Sequence, residues 1–100
     1  MGKPESRVEN RFRDGIKSIG GKAYKLISPG NNGMPDRLVC LPTGNVIFAE
    51  LKSPTGTTSK MQDKRIAELR QYGQTVCVLR NLQEVDAFLE KIQEMIDNAV

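Results

Sequence analysis

The chain contains no histidine. That absence excludes Ser-His-Asp triads, His-metal centres and His general bases within it, so any catalysis rests on carboxylates, lysine, hydroxyls or a metal. Cysteine is scarce: Cys40 and Cys77 each sit inside an apolar run, which predicts buried, reduced thiols rather than a disulfide or a metal pair. No apolar stretch approaches the roughly 18 residues that a membrane span needs. The opening "MGKPESRVEN" has neither the apolar core of a signal peptide nor the pattern of a transit peptide, so a cytoplasmic protein without membrane association is expected. The polar loops "PGNNGMPD" and "SPTGTTSK" lack the Gly-Lys-Ser/Thr ending of a P-loop, which argues against nucleotide binding. Aromatics are few as well, and Tyr24 and Tyr72, although able to stack on unpaired bases, are expected to serve packing.

What is present suits one small domain spanning residues 1–100, since 100 residues with 38% hydrophobic content bury a single modest core. The formal charge is only +3, but it is unevenly spread. Lys3, Arg7, Arg11, Arg13, Lys17, Lys22 and Lys25 dominate the first thirty residues, whereas Glu84, Asp86, Glu90, Glu94 and Asp97 face a single Lys91 in the last twenty. A polyanion is attracted to one side of such a molecule and repelled from the other.

The pattern predicts the order α-β-β-β-α-β-α. "SRVE" reads as a capping box on Ser6 and Glu9, followed by the stripe Val8, Phe12, Ile16, Ile19 and the stop Gly20-Gly21. "AYKLIS" reads as a strand. Residues 37–41 and 45–51 are apolar and separated by three residues ending in glycine, which predicts an antiparallel hairpin. "SKMQ" is a second capping box, on Ser59 and Gln62, opening a helix from about Lys60 to Tyr72 that Gly73 stops. "TVCVL" carries the mark of a central strand covered on both faces. Asn81 then caps a helix whose stripe is Leu82, Val85, Phe88, Leu89, Ile92 and Ile96. The fold class is α/β, a mixed sheet with helices on both faces.

Taken literally, the three-residue turn sets Leu41 opposite Asn45, Val39 opposite Ile47 and Arg37 opposite Ala49, so Asp36 falls opposite Glu50. Two bare carboxylates at that separation repel each other, and a hard divalent cation such as Mg²⁺ or Mn²⁺ relieves the repulsion. Lys52 projects to the same face as Glu50 because side chains alternate along a strand. Carboxylate, carboxylate and ammonium suit phosphodiester hydrolysis: a metal polarises the phosphate and acidifies a water, while lysine orients that water or neutralises developing charge. The competing reading is a salt bridge at the sheet edge, joining Lys52 to Glu50 or Asp36.

Pro35-Asp36, a hairpin, then Glu50-Leu51-Lys52 followed by a helix resembles the PD-(D/E)xK nuclease superfamily. The stretch from "GMPDRLV" through "FAELKSPTG", with Gln62 in the next helix and "YGQTVCVLRNLQEVDAFL" near the end, resembles its VRR-Nuc group, the virus-type replication-repair nucleases, over essentially the whole chain. The resemblance implies a restriction-endonuclease-like core. It implies Asp36 and Glu50 as metal ligands, joined by the Leu51 main-chain carbonyl, and Lys52 as the catalytic lysine. Gln62 is implied as the glutamine that holds the lysine or the attacking water, a role compatible with capping. Glu9 matches an acidic residue that often completes the metal shell, with capping as its alternative. The tryptophan that often follows the glutamine in the family is absent here.

The resemblance implies a Mg²⁺- or Mn²⁺-dependent DNA endonuclease acting on branched DNA such as four-way (Holliday) junctions, as a homodimer of bacterial, phage or prophage origin. The alternatives are a non-catalytic DNA-binding or partner-binding module on the same scaffold, and a monomer that nicks flaps or gaps. Arg7, Arg11 and Lys17 on the first helix, with Thr57, Lys60 and the main-chain amides of the flanking loops, are the expected phosphate contacts.

Overall fold

A computed structural model of the chain describes residues 4–99, so Lys3 of the basic N-terminal set lies outside it. The elements follow the expected order: α1 (Pro4–Ser18), β1 (Lys22–Lys25), β2 (Arg37–Cys40), β3 (Val46–Leu51), α2 (Lys60–Gln71), β4 (Thr75–Leu79) and α3 (Leu82–Asp97). Helix α1 runs from Pro4, so Ser6 lies inside it and the expected Ser6–Glu9 box does not form its start. Proline in the first turn explains the earlier beginning, because an N–H has no helical partner there. The helix ends in a Schellman motif. The Gly21 amide donates to the Ile16 carbonyl and the Gly20 amide to the Lys17 carbonyl, with Gly20 at φ +88°.

Strands β2 and β3 pair in the register that the turn length predicts, with Arg37 opposite Ala49 and Val39 opposite Ile47. β1 adds antiparallel to β2, and β4 adds parallel to β3, giving the sheet order β1-β2-β3-β4. β1 is shorter than "AYKLIS", although the Leu26 amide still donates to the Asp36 carbonyl at 2.9 Å. β4 is an edge strand, not the central strand its apolar run predicts. It reads as a covered strand because α2 lies on it through Ile66 and Val76, while Leu79 joins the opposite core.

That core contains Val8, Phe12 and Ile16 of α1, Val39, Ile47, Ala49 and Leu79 of the sheet, and Val85 and Ile92 of α3. Each large apolar side chain so enclosed contributes about 1.5–3 kcal/mol. The Phe12 and Phe88 rings stack at 5.8 Å between centroids, joining α1 to α3. Leu82 is the exception to the predicted stripe: it opens α3 and is exposed. Tyr24 and Tyr72 are exposed too, so neither serves the core; Lys22 lies over the Tyr24 ring instead. The two cysteines are free and only partly buried. Because alternate residues face opposite ways, Ile47, Ala49 and Leu51 point to α1 and α3, leaving Glu50 on the face that α2 covers.

Candidate active site

Among the described residues Glu50 is the only charged one that is buried, with 5% of its surface exposed. Pro35, fully buried, fixes the chain just before Asp36, and the Leu51 amide donates to Asp36 Oδ1 at 3.0 Å across the hairpin. Burial raises the Glu50 pKa, the Asp36 charge raises it further, and Lys52 opposes both. Lys52 Nζ lies 3.3 Å from Glu50 Oε2 and donates to Gln62 Oε1 at 2.9 Å. Gln62 Nε2 in turn donates to Glu50 Oε2 at 3.2 Å. The structure thus brings Asp36, Glu50, Lys52 and Gln62 together.

Gln62 does this while capping α2. The Ser59 amide donates to Gln62 Oε1 at 2.9 Å, and the Gln62 amide donates to Ser59 Oγ at 3.1 Å. Both roles read from the sequence therefore coexist, and the helix start is tied to the lysine. An exposed Lys–Glu pair at a sheet edge is worth little, but this one is largely enclosed and charge-assisted, and Gln62 bonds both partners.

Two groups that sequence reasoning passes over hold the Asp36 loop against α2. Arg65 Nε donates to the Asn32 carbonyl at 2.9 Å. Gly33 adopts φ +84°, and a Cβ there would come within 2.6 Å of the Met61 carbonyl oxygen. Only glycine combines that backbone angle with that approach. The "NNG" triplet signals a turn, but nothing local reveals what the turn leans on.

Glu9 is linked to Asp36 through the Arg37 guanidinium. Its Oε1 lies 3.0 Å from Arg37 Nη2 and 3.5 Å from Lys25 Nζ. Arg37 Nη1 also donates to the Asp36 carbonyl at 3.0 Å and lies 3.3 Å from Asp36 Oδ2. Among the described residues no group of three or more His, Cys, Asp or Glu side chains is arranged to hold a metal. The oxygen donors that could hold an ion here are the Asp36 and Glu50 carboxylates, which interact across the hairpin, with the Leu51 carbonyl added by the family resemblance. That hard-oxygen set suits Mg²⁺ or Mn²⁺, which keep several waters, and the Asp36 charge that raises Glu50 is what a cation would relieve. Of the expected phosphate contacts, Arg7, Lys17 and Lys60 are exposed, whereas Arg11 is exposed but paired with Asp86 at 2.7 Å. Cys77 has no part in this chemistry, because burial pushes its thiol up to about 12.

A helix, an antiparallel hairpin ending in Asp36 and Glu50-Leu51-Lys52, a helix bearing Gln62 and a parallel fourth strand make up the core of a PD-(D/E)xK nuclease. No protein-family model matches the sequence. A relative from Acyrthosiphon pisum secondary endosymbiont phage 1, "Putative nuclease p44", is 39% identical over 88 residues, covering 88% of this chain and 94% of its own. A solved structure described as "VRR_NUC domain" is 30% identical, superposes with a TM-score of 0.83, and is matched over 89% of this chain and 97% of its own. The chain belongs to the VRR-Nuc family of nucleases.

Proposed function

We propose that the protein is a Mg²⁺- or Mn²⁺-dependent DNA endonuclease that acts on branched DNA, such as four-way junctions, as a homodimer. The observation that supports this reading most is the enclosed Glu50–Lys52–Gln62 knot lying beside Asp36. Asp36, Glu50 and the Leu51 carbonyl would hold the ion, which when bound supplies a polarised phosphate and an acidified water. Lys52, with its ammonium fixed by Gln62, orients the attacking water or neutralises charge gathering on the phosphate. Arg7, Lys17 and Lys60, all exposed, would meet the DNA backbone, with Arg11 joining once it leaves Asp86. Among the described residues no helix is long and apolar enough to cross a membrane. The phage relative supports a nuclease of phage or prophage origin.

The test is incubation with supercoiled, linear, flapped and four-way DNA, with and without Mn²⁺. Cleavage is expected only with metal, and should disappear in folded Asp36→Ala and Glu50→Ala. Lys52→Ala should stop turnover yet keep Mn²⁺ binding, because an ammonium does not ligate cations. Cleavage unchanged by a chelator overturns the metal reading. Binding without cleavage on every substrate indicates a non-catalytic module.

A further inference from the structure

Arg37 has no part in the chemistry assigned above, yet its side chain is nearly enclosed, at 12% exposure, and touches two carboxylates of the site region. One terminal nitrogen meets Glu9 Oε1 at 3.0 Å, and the other meets Asp36 through its carbonyl at 3.0 Å and Oδ2 at 3.3 Å. Lys25, the other cation on Glu9, is farther away and 73% exposed, so it fixes little. The planar guanidinium, always charged, therefore sets where Glu9 lies.

We propose that Arg37 is a positioning residue that withholds Glu9 from the divalent-cation site and keeps the resting site to two carboxylates. Asp36 is braced at both oxygens, by the Leu51 amide on Oδ1 and by Arg37 beside Oδ2. An arriving cation meets a fixed positive charge next to Asp36, and the Glu9 carboxylate is already committed to that charge. Removing the guanidinium takes away the repulsion and frees Glu9 in the same step, so cation affinity rises and Glu9 displaces water from the ion.

The inference rests on the metal reading, and its readouts are Mn²⁺ affinity by calorimetry and the number of waters on bound Mn²⁺ by water-proton relaxation, both without DNA. Folded R37M is expected to bind Mn²⁺ about tenfold more tightly than wild type, with fewer waters on the ion. E9Q alone should leave the water number unchanged, and R37M/E9Q should restore it to the wild-type value. A rise in water number in E9Q overturns the inference, because Glu9 would then already ligate in wild type. R37M with wild-type affinity and water number also overturns it, and if R37M does not fold, E9Q alone decides. Absence of Mn²⁺ binding in both wild type and R37M overturns the metal reading itself; wild-type binding without the R37M effect overturns only the role of Arg37.

Discussion

The Glu50 carboxyl lies between Asp36 and Lys52 on a face closed by α2, and burial followed by the Asp36 charge raises its pKa above the ordinary 4.5. For an acid, that direction means that the fold binds the protonated form more readily than the unfolded chain does. The associated stability is fully present below the ordinary value and is lost as pH rises through the raised one. Metal-free wild type should therefore lose thermal stability as pH rises from about 4.5 towards neutrality, whereas Glu50→Gln, uncharged throughout, lacks that loss. In chelator the variant is expected to melt higher than wild type at pH 7, with the gap closing as pH falls to 4.5. Saturating Mn²⁺ should reverse the order, because the ion stabilises only the carboxylate form. Melting curves that run parallel across pH would remove the repulsion on which the site argument depends. At this scale Asp36, Glu50 and Lys52 were legible because turn length and strand alternation are local facts, and Gln62 through its capping box and the family resemblance. Arg37 was not, since a strand arginine reveals neither the helix residue it will meet nor its burial.

The hairpin register follows from the turn, but what aims the hairpin at α2 is the preceding loop, where Gly33 lies against the Met61 carbonyl. Gly33→Ala must give up the positive φ or push the loop from α2, at a cost of about 1–3 kcal/mol. Asp36 would then move relative to Gln62. Cleavage by the folded variant should fall on the order of a hundredfold, since misplacement by about 1 Å costs that much in other sites. Gly44→Ala is the control, because a Cβ at Gly44 touches nothing and it carries the same kind of backbone strain away from α2. Equal activity losses in the two variants at matched stability would show that the docked loop does not set the site. The elements themselves were readable from periodicity, caps and glycine stops. β4 was misread as central because "TVCVL" looks alike whether a strand or a helix covers it, and α2 supplies the cover. Ser6 was misread as a cap because Pro4 begins the helix earlier.

Across the whole molecule, charge is divided between basic α1 and acidic α3, and the two helices are joined at the surface by Arg11 and Asp86. Arg7 and Lys17 are exposed on α1, so losing both should lower the salt dependence of DNA affinity by about one unit of slope each. Arg11→Ala should lower it by less, because wild-type Arg11 must leave Asp86 to reach a phosphate, and fluorescence anisotropy over a salt series measures all three. Unchanged slopes would move the DNA surface off α1. Assembly is the larger question at this scale. On the proposed reading as a branched-DNA nuclease, pairing of two such cores would supply the recognition of the branch. A four-way junction has approximate two-fold symmetry, and an isologous dimer presents two active sites related by the same operator, which suits paired cuts on opposed strands. The exposed edge of β1 is a surface available for that pairing. The expected outcome is a dimeric mass in sedimentation at micromolar concentration, with a cruciform in a supercoiled plasmid converted to linear product in one binding event. A monomeric mass with independent nicks would instead make the protein a flap or gap nickase, and a dimer that releases nicked circles before the second cut would separate assembly from coupled cleavage.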